Sequence, residues 1–117
     1  MRAPIFGAMI AGLGLASTAA LAHHGWSSYD AGKTLTFEGA ILSAKYENPH
    51  GELQMEAEGE RWTITLAPPS RMRARGIEAD DLNVGTVVQV EGYPSRVHEN
   101  EMRAERIRIG GESVELR

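Results

Sequence analysis

From Thr34 to the C-terminus most of the chain alternates apolar and polar residues at every second position, the period of a half-buried β-strand. In "TLTFEGAILSAKYENP", Leu35, Phe37, Gly39 and Ile41 share one face, and after "EGA" the apolar set moves to Leu42, Ala44 and Tyr46. A glycine where the phase slips predicts a bulge or sharp bend in one long strand. Asn48-Pro49 ends it, because proline has no N–H to give to a ladder. "ELQMEAE" sets Leu53, Met55 and Ala57 on one face, Glu58-Gly59 makes a short hairpin turn, and "RWTITL" returns with Trp62, Ile64 and Leu66 inward.

The period then changes. "APPSRMRARGI" has prolines at its head, good helix formers in its middle and Gly76 at its end, so one or two helical turns are expected. "ADDLNVG" reads as a loop, "TVVQVEGY" as a strand with Val88 and Val90 inward, and "SRVHEN" as a polar hairpin tip. "EMRAERIRI", a Gly110-Gly111 turn and "ESVELR" complete the order. Three antiparallel strands, a short helix and two more strands with a tail describe an all-β, OB-like Greek-key barrel over residues 34–117; a flat meander or a small sandwich is the alternative. Phe37, Ile41, Leu53, Met55, Trp62, Ile64, Leu66, Val88, Val90 and Ile107 are expected to share its core.

Ahead of the barrel, residues 23–33 are polar with Trp26 and Tyr29 interspersed, an arm that packs through its aromatic rings. Residues 1–22 read as a signal peptide, with Arg2, an apolar run from Ile5 to Ala16, and Ala20 and Ala22 at the −3 and −1 positions. The run is short and rich in Gly and Ala for a membrane span, so no anchor is expected after cleavage. Cleavage after Ala20, leaving Leu21 first, is the rival. The expected location is the periplasm or the medium.

Composition narrows the chemistry. The net charge of −4 becomes −5 when Arg2 leaves with the leader, a poor balance for phosphate backbones, so no nucleic-acid partner is expected. The absence of cysteine removes disulfides, thiolate metal sites, cysteine nucleophiles and covalent haem attachment.

The segments "AHHGWSSYD", "ENPH", "APPSRMRARGI" and "LNVGTVVQVEGYP" together resemble an exported bacterial family, domain-of-unknown-function family 6152. Its usual pattern is a signal peptide, "AHHSF", "TNPH", "SP…L.RRG" and "L.PGD.V.V.G". The resemblance covers nearly all of the chain after the leader. This sequence departs from it with Tyr46-Glu47 where Trp-Thr is common and with Trp26 in place of Phe. The resemblance implies architecture and export, and no mechanism.

Cleavage after Ala22 makes His23 the first residue, with an α-amine and a ring Nδ1 able to close one chelate ring on a metal. The α-amine has a pKa of about 7.7–8.0 and yields its proton readily to a metal. A remote histidine would complete an all-nitrogen set suited to copper(II). His50 is the better remote ligand, held after Pro49 at a strand end; His24 is either a fourth ligand or points away; His98 sits on an exposed tip. The competing reading is a solvated His pair, with His50 capping a turn through a backbone hydrogen bond.

Other motifs carry less. Arg71, Arg73 and Arg75, spaced by two, spread around a solvated helix, and "RAERIR" fits a cross-strand charge ladder. No triad or paired-carboxylate pattern marks a hydrolase. Trp26, Tyr29, Tyr46 and Trp62 could stack on a base or sugar, although Trp62 is in phase with the core. The expectation is an exported small binding protein and not an enzyme, with copper at His23, His24 and His50. The alternative is a metal-free interaction module whose barrel face takes a peptide, glycan or envelope partner. A third class is a redox enzyme built on the same copper.

Overall fold

The computed structural model describes residues 25–117. The leader reading, His23 and His24 lie outside the described residues. Six strands follow one another: β1 (Leu35–Lys45), β2 (Glu52–Ala57), β3 (Glu60–Thr65), β4 (Val87–Pro94), β5 (Glu101–Ile109) and β6 (Glu112–Glu115). One α-helix, α1 (Pro69–Ala74), stands between β3 and β4. The sheet order is β3-β2-β1-β4-β5-β6, and a parallel β3–β5 pairing closes it. That closure excludes the meander and the sandwich: this is a five-stranded OB barrel with β6 added at the edge of β5.

β1 serves two neighbours in turn. Leu35–Ala40 pair with β4, and Ile41–Lys45 pair with β2. Such a handover needs a coiled strand that passes close to its neighbours. Gly39 supplies the approach: a Cβ there would stand 3.0 Å from the Glu56 carbonyl oxygen. The extra residue comes later than the sequence suggests, at Leu42, where the register breaks between Ile41 and Ser43. Leu42 is accordingly left 41 % exposed and is not inward-facing. A second bulge lies in β5. Glu91 is opposite Arg106 while Gly92 is opposite Ala104, so Glu105 is the extra residue, and its carbonyl accepts from the Leu116 N–H.

The turns follow backbone chemistry. Glu58 and Gly59 both have positive φ, as a two-residue hairpin turn requires. α1 begins at Pro69 after Pro68 and gives way to Gly76 at φ 93°, the left-handed stop read from the sequence. Its Pro69 and Met72 are buried. "ADDL" is ordered beyond the expected loop: Ala79–Leu82 form a 3-10 turn, because Glu78 and Asp81 cap one another's backbone N–H groups and Leu82 buries its side chain.

Nine of the ten expected core residues are buried in one cluster. The tenth, Trp62, is half-buried against it, its ring centroid 4.7 Å from that of Phe37.

Candidate functional site

The arm is docked on the barrel. Trp26–Ser28 make a 3-10 turn, and the next residues run antiparallel to the end of β4, with Tyr29 bridged to Ser95. The Asp30 N–H donates to the Pro94 carbonyl, and the Arg96 N–H to that of Ser28. The Tyr29 ring is buried, and its hydroxyl donates to Glu101 Oε2 at 2.7 Å. Burial, and then the bond to the Glu101 carboxylate, push its pKa up to about 12. Thr65 also bonds the Tyr29 side chain. It alternates with core-facing Ile64 and so points outward, yet it is buried. Tyr29 thus lies across the β3–β5 seam. Upstream, the guanidinium groups of Arg103 and Arg117 each lie 4.4 Å from the Trp26 ring centroid, and Tyr93 meets that ring edge-on at 6.1 Å. Burial, with repulsion from Arg71 and Arg117, lowers the Arg103 pKa.

His50 occupies the loop between β1 and β2. The next residue, Gly51, is fixed at both ends: its N–H donates to the Ala67 carbonyl at 2.9 Å, and its carbonyl accepts from the Leu66 N–H at 2.8 Å. The same carbonyl lies 3.1 Å from His50 Nδ1. A carbonyl can only accept, so Nδ1 carries the proton of this bond, and in the neutral ring the lone pair is on Nε2. This is the backbone hydrogen bond of the turn-capping reading, and it is equally the usual outer partner of a metal-binding imidazole.

Strand pairing relates the arm to this loop. Trp26 lies on Arg103, Arg103 is opposite Thr65, Thr65 is opposite Glu52, and His50 is two residues before Glu52. From the Arg103 backbone to His50, two strand spacings and two residues make on the order of 12 Å, and Trp26 lies beyond the far end of the Arg103 side chain. The length of β1, which separates the two along the sequence, is therefore not the distance between them. His98 belongs to another corner: its loop ends at Asn100, whose carbonyl accepts from Thr63, whereas Gly51 sits by Leu66 and Ala67. Its exposed residue is tied by its own N–H to Ser95 Oγ. Among the described residues no group of three His, Asp or Glu could hold a metal.

The aromatic residues form no open platform. Tyr29 is buried, Tyr46 donates to the Ile77 carbonyl at 2.6 Å, Trp62 packs on Phe37, and Trp26 is covered by two arginines. Of these four rings only that of Tyr29 is buried; Trp26, Tyr46 and Trp62 are half-buried. The helix arginines are not simply solvated either. Arg71 and Arg75, four apart and so on one face, donate to the carbonyls of Leu116 and Glu115. Arg106 bridges Glu91 and Glu115 at 2.7 and 2.8 Å across three strands, the charge ladder expected. That bonding raises the Arg106 pKa and lowers that of Glu115. An exposed apolar group remains at the β1–β4 edge. Ala40 is opposite Val87, and Thr86 and Gly85 bond Ile41, which brings Val84, Val87 and Leu42 together.

The barrel is similar to a chain of the S. pombe Stn1-ten1 complex, with 15% identity and a TM-score of 0.54 over 68% of this chain and 59% of that one. It is also similar to the ZRD-deleted mutant of TiaS in complex with agmatine, with 20% identity and a TM-score of 0.50 over 73% of this chain and 24% of that one. These likenesses are of fold, and in both cases the chain spans less than two thirds of the other's length. No curated protein matches the chain in sequence. The model of the family of unknown function DUF6152 matches residues 12–103, most of the chain, and the protein belongs to that family.

Proposed function

We propose that this protein is an exported single-domain barrel that binds copper(II) through the α-amine and Nδ1 of a mature N-terminal His23 together with Nε2 of His50. His24 is the fourth ligand available to it. The observation that carries this reading is the Nδ1 bond to the Gly51 carbonyl, which gives His50 the tautomer and ring orientation of a ligand. The docked arm supports it: Trp26 lies on Arg103, which is two strands away from the strand that follows His50, and residues 23–25 would add up to about 10 Å of reach when extended. The role is binding and not catalysis.

The test is mass spectrometry of the exported protein, to read its first residue, followed by copper(II) titration of that species. Processing to His23 is expected, with binding tighter than that of a free His-His peptide. His50→Ala and blockage of the amine should each weaken it, and His98→Ala should leave it unchanged. Binding that survives His50→Ala would reduce the site to a local chelate of His23 and His24. A terminus at Leu21, or affinity no better than the peptide's, would sink the reading.

One observation favours a second reading, a metal-free module for an apolar peptide segment. Val84 and Val87 are 70 % and 57 % exposed beside Leu42. Replacing both valines by Ser should then abolish capture of a cognate peptide while leaving the copper titration as it was.

A further inference from the structure

The bonds that seat the arm fall on the far half of the chain. Main-chain hydrogen bonds join Asp30 to Pro94 at 2.9 Å and Arg96 to Ser28 at 2.9 Å, flanking the Tyr29–Ser95 bridge. The Tyr29 hydroxyl donates to Glu101, and the Trp26 ring meets Arg103, Arg117 and Tyr93. The berth is a backbone edge at the end of β4, with a buried place for a tyrosine and a guanidinium-lined place for an indole three residues before it. Such an edge receives an extended segment by main-chain bonding and selects it by its side chains. Only a short connection ties the arm to its own barrel. Residues 31–34 are exposed, and the chain turns there through the Lys33 N–H to the Asp30 carbonyl at 3.1 Å and the Gly32 N–H to Asp30 Oδ1 at 3.0 Å. Both bonds are local to the turn, so opening it breaks none of the bonds named above. Opened, these four residues span up to about 13 Å, which carries the arm clear of its own barrel.

We propose that this berth takes the arm of a second copy of the chain, so that two molecules exchange arms and each berth is filled by the other's Trp26 and Tyr29. The berth recognises the pattern Trp-x-x-Tyr-Asp and not the chain on which it arrives. The exchanged pair keeps every bond that seats the arm and gives up only the turn from Asp30 to Lys33, the condition under which swapping costs little. No histidine takes part, so the exchange is independent of copper binding.

The experiment mixes isotope-labelled and unlabelled full chain at millimolar concentration. Isotope-filtered NMR then reads contacts from the Trp26 and Tyr29 rings of one copy to the Arg117 and Glu101 side chains of the other. Cross-chain contacts are expected, with a dimer in sedimentation whose share falls on dilution. Deleting Gly32 shortens the connection so that the arm no longer folds back on its own barrel, and it should raise the dimer share about tenfold at equal concentration. Adding Tyr29→Ala to that deletion should return the chain to monomer with the amide spectrum of the barrel retained. A native mixture without cross-chain contacts overturns the proposal. So does a Gly32-deleted chain that stays monomeric, or a dimer that survives Tyr29→Ala.

Discussion

Gly92 and Gly59 separate two uses of one residue type. At Gly92 a Cβ would lie 2.0 Å from the Arg103 carbonyl oxygen and 2.7 Å from the Ala104 Cα, both backbone atoms with no rotamer to give way. At Gly59 nothing lies within 4 Å, and only the φ of 79° resists a side chain. Gly92→Ala should cost about 3 kcal/mol or more, and Gly59→Ala about 1 kcal/mol, in denaturant melts. Tyr29 gives a pH test at the same scale. Its folded pKa lies about 2 units above the usual 10, so the native state holds its proton longer than the unfolded chain. Its contribution is complete below pH 10 and is lost as the pH rises from 10 to about 12. Tyr29→Phe should lower stability by about 1–2 kcal/mol at neutral pH and remove that part of the alkaline decline. The sequence marked Tyr29 as a packing residue. It held no sign of Glu101, 72 positions away, because that contact is made by barrel closure and not by spacing.

Elements were legible where local rules act alone. Alternation located the strands, and Pro69 and Gly76 bracketed the helix, since these signals depend on side-chain period and backbone freedom within a few residues. Features that need a neighbour were displaced or hidden. The bulge moved from Gly39 to Leu42 because its place is set by where β1 leaves β4 for β2. The Arg71 and Arg75 clamp could not be read because its acceptors are backbone carbonyls some 40 residues away. That clamp covers the tail following β6, a short strand that pairs only with β5. Arg75→Ala should therefore speed amide exchange in Val114 and Leu116 while leaving the exchange of β1 and β4 amides unchanged. Equal acceleration throughout would show instead that β6 and the barrel open as one unit.

The whole molecule closes at its weakest seam. β3 and β5 share three register pairs, Thr63–Glu101, Ile64–Met102 and Thr65–Arg103, against seven for β4 and β5. The arm crosses the outside of this seam, and of the proposed ligands only His50 lies among the described residues. A chain beginning at Lys33 should lose about 2 kcal/mol from the uncovered Tyr29 contacts, lowering Tm by roughly 10 °C. Thr63, Thr65 and Arg103 amides should lose protection before those of β1. Trp26 carries one more consequence, an optical one. The molecule has two indoles, one half-buried against Phe37 and one on the arm flanked by guanidinium groups. With Trp62 replaced by Phe, all remaining indole emission comes from the strap, so its lifting from the barrel can be timed by light while the barrel itself stays folded.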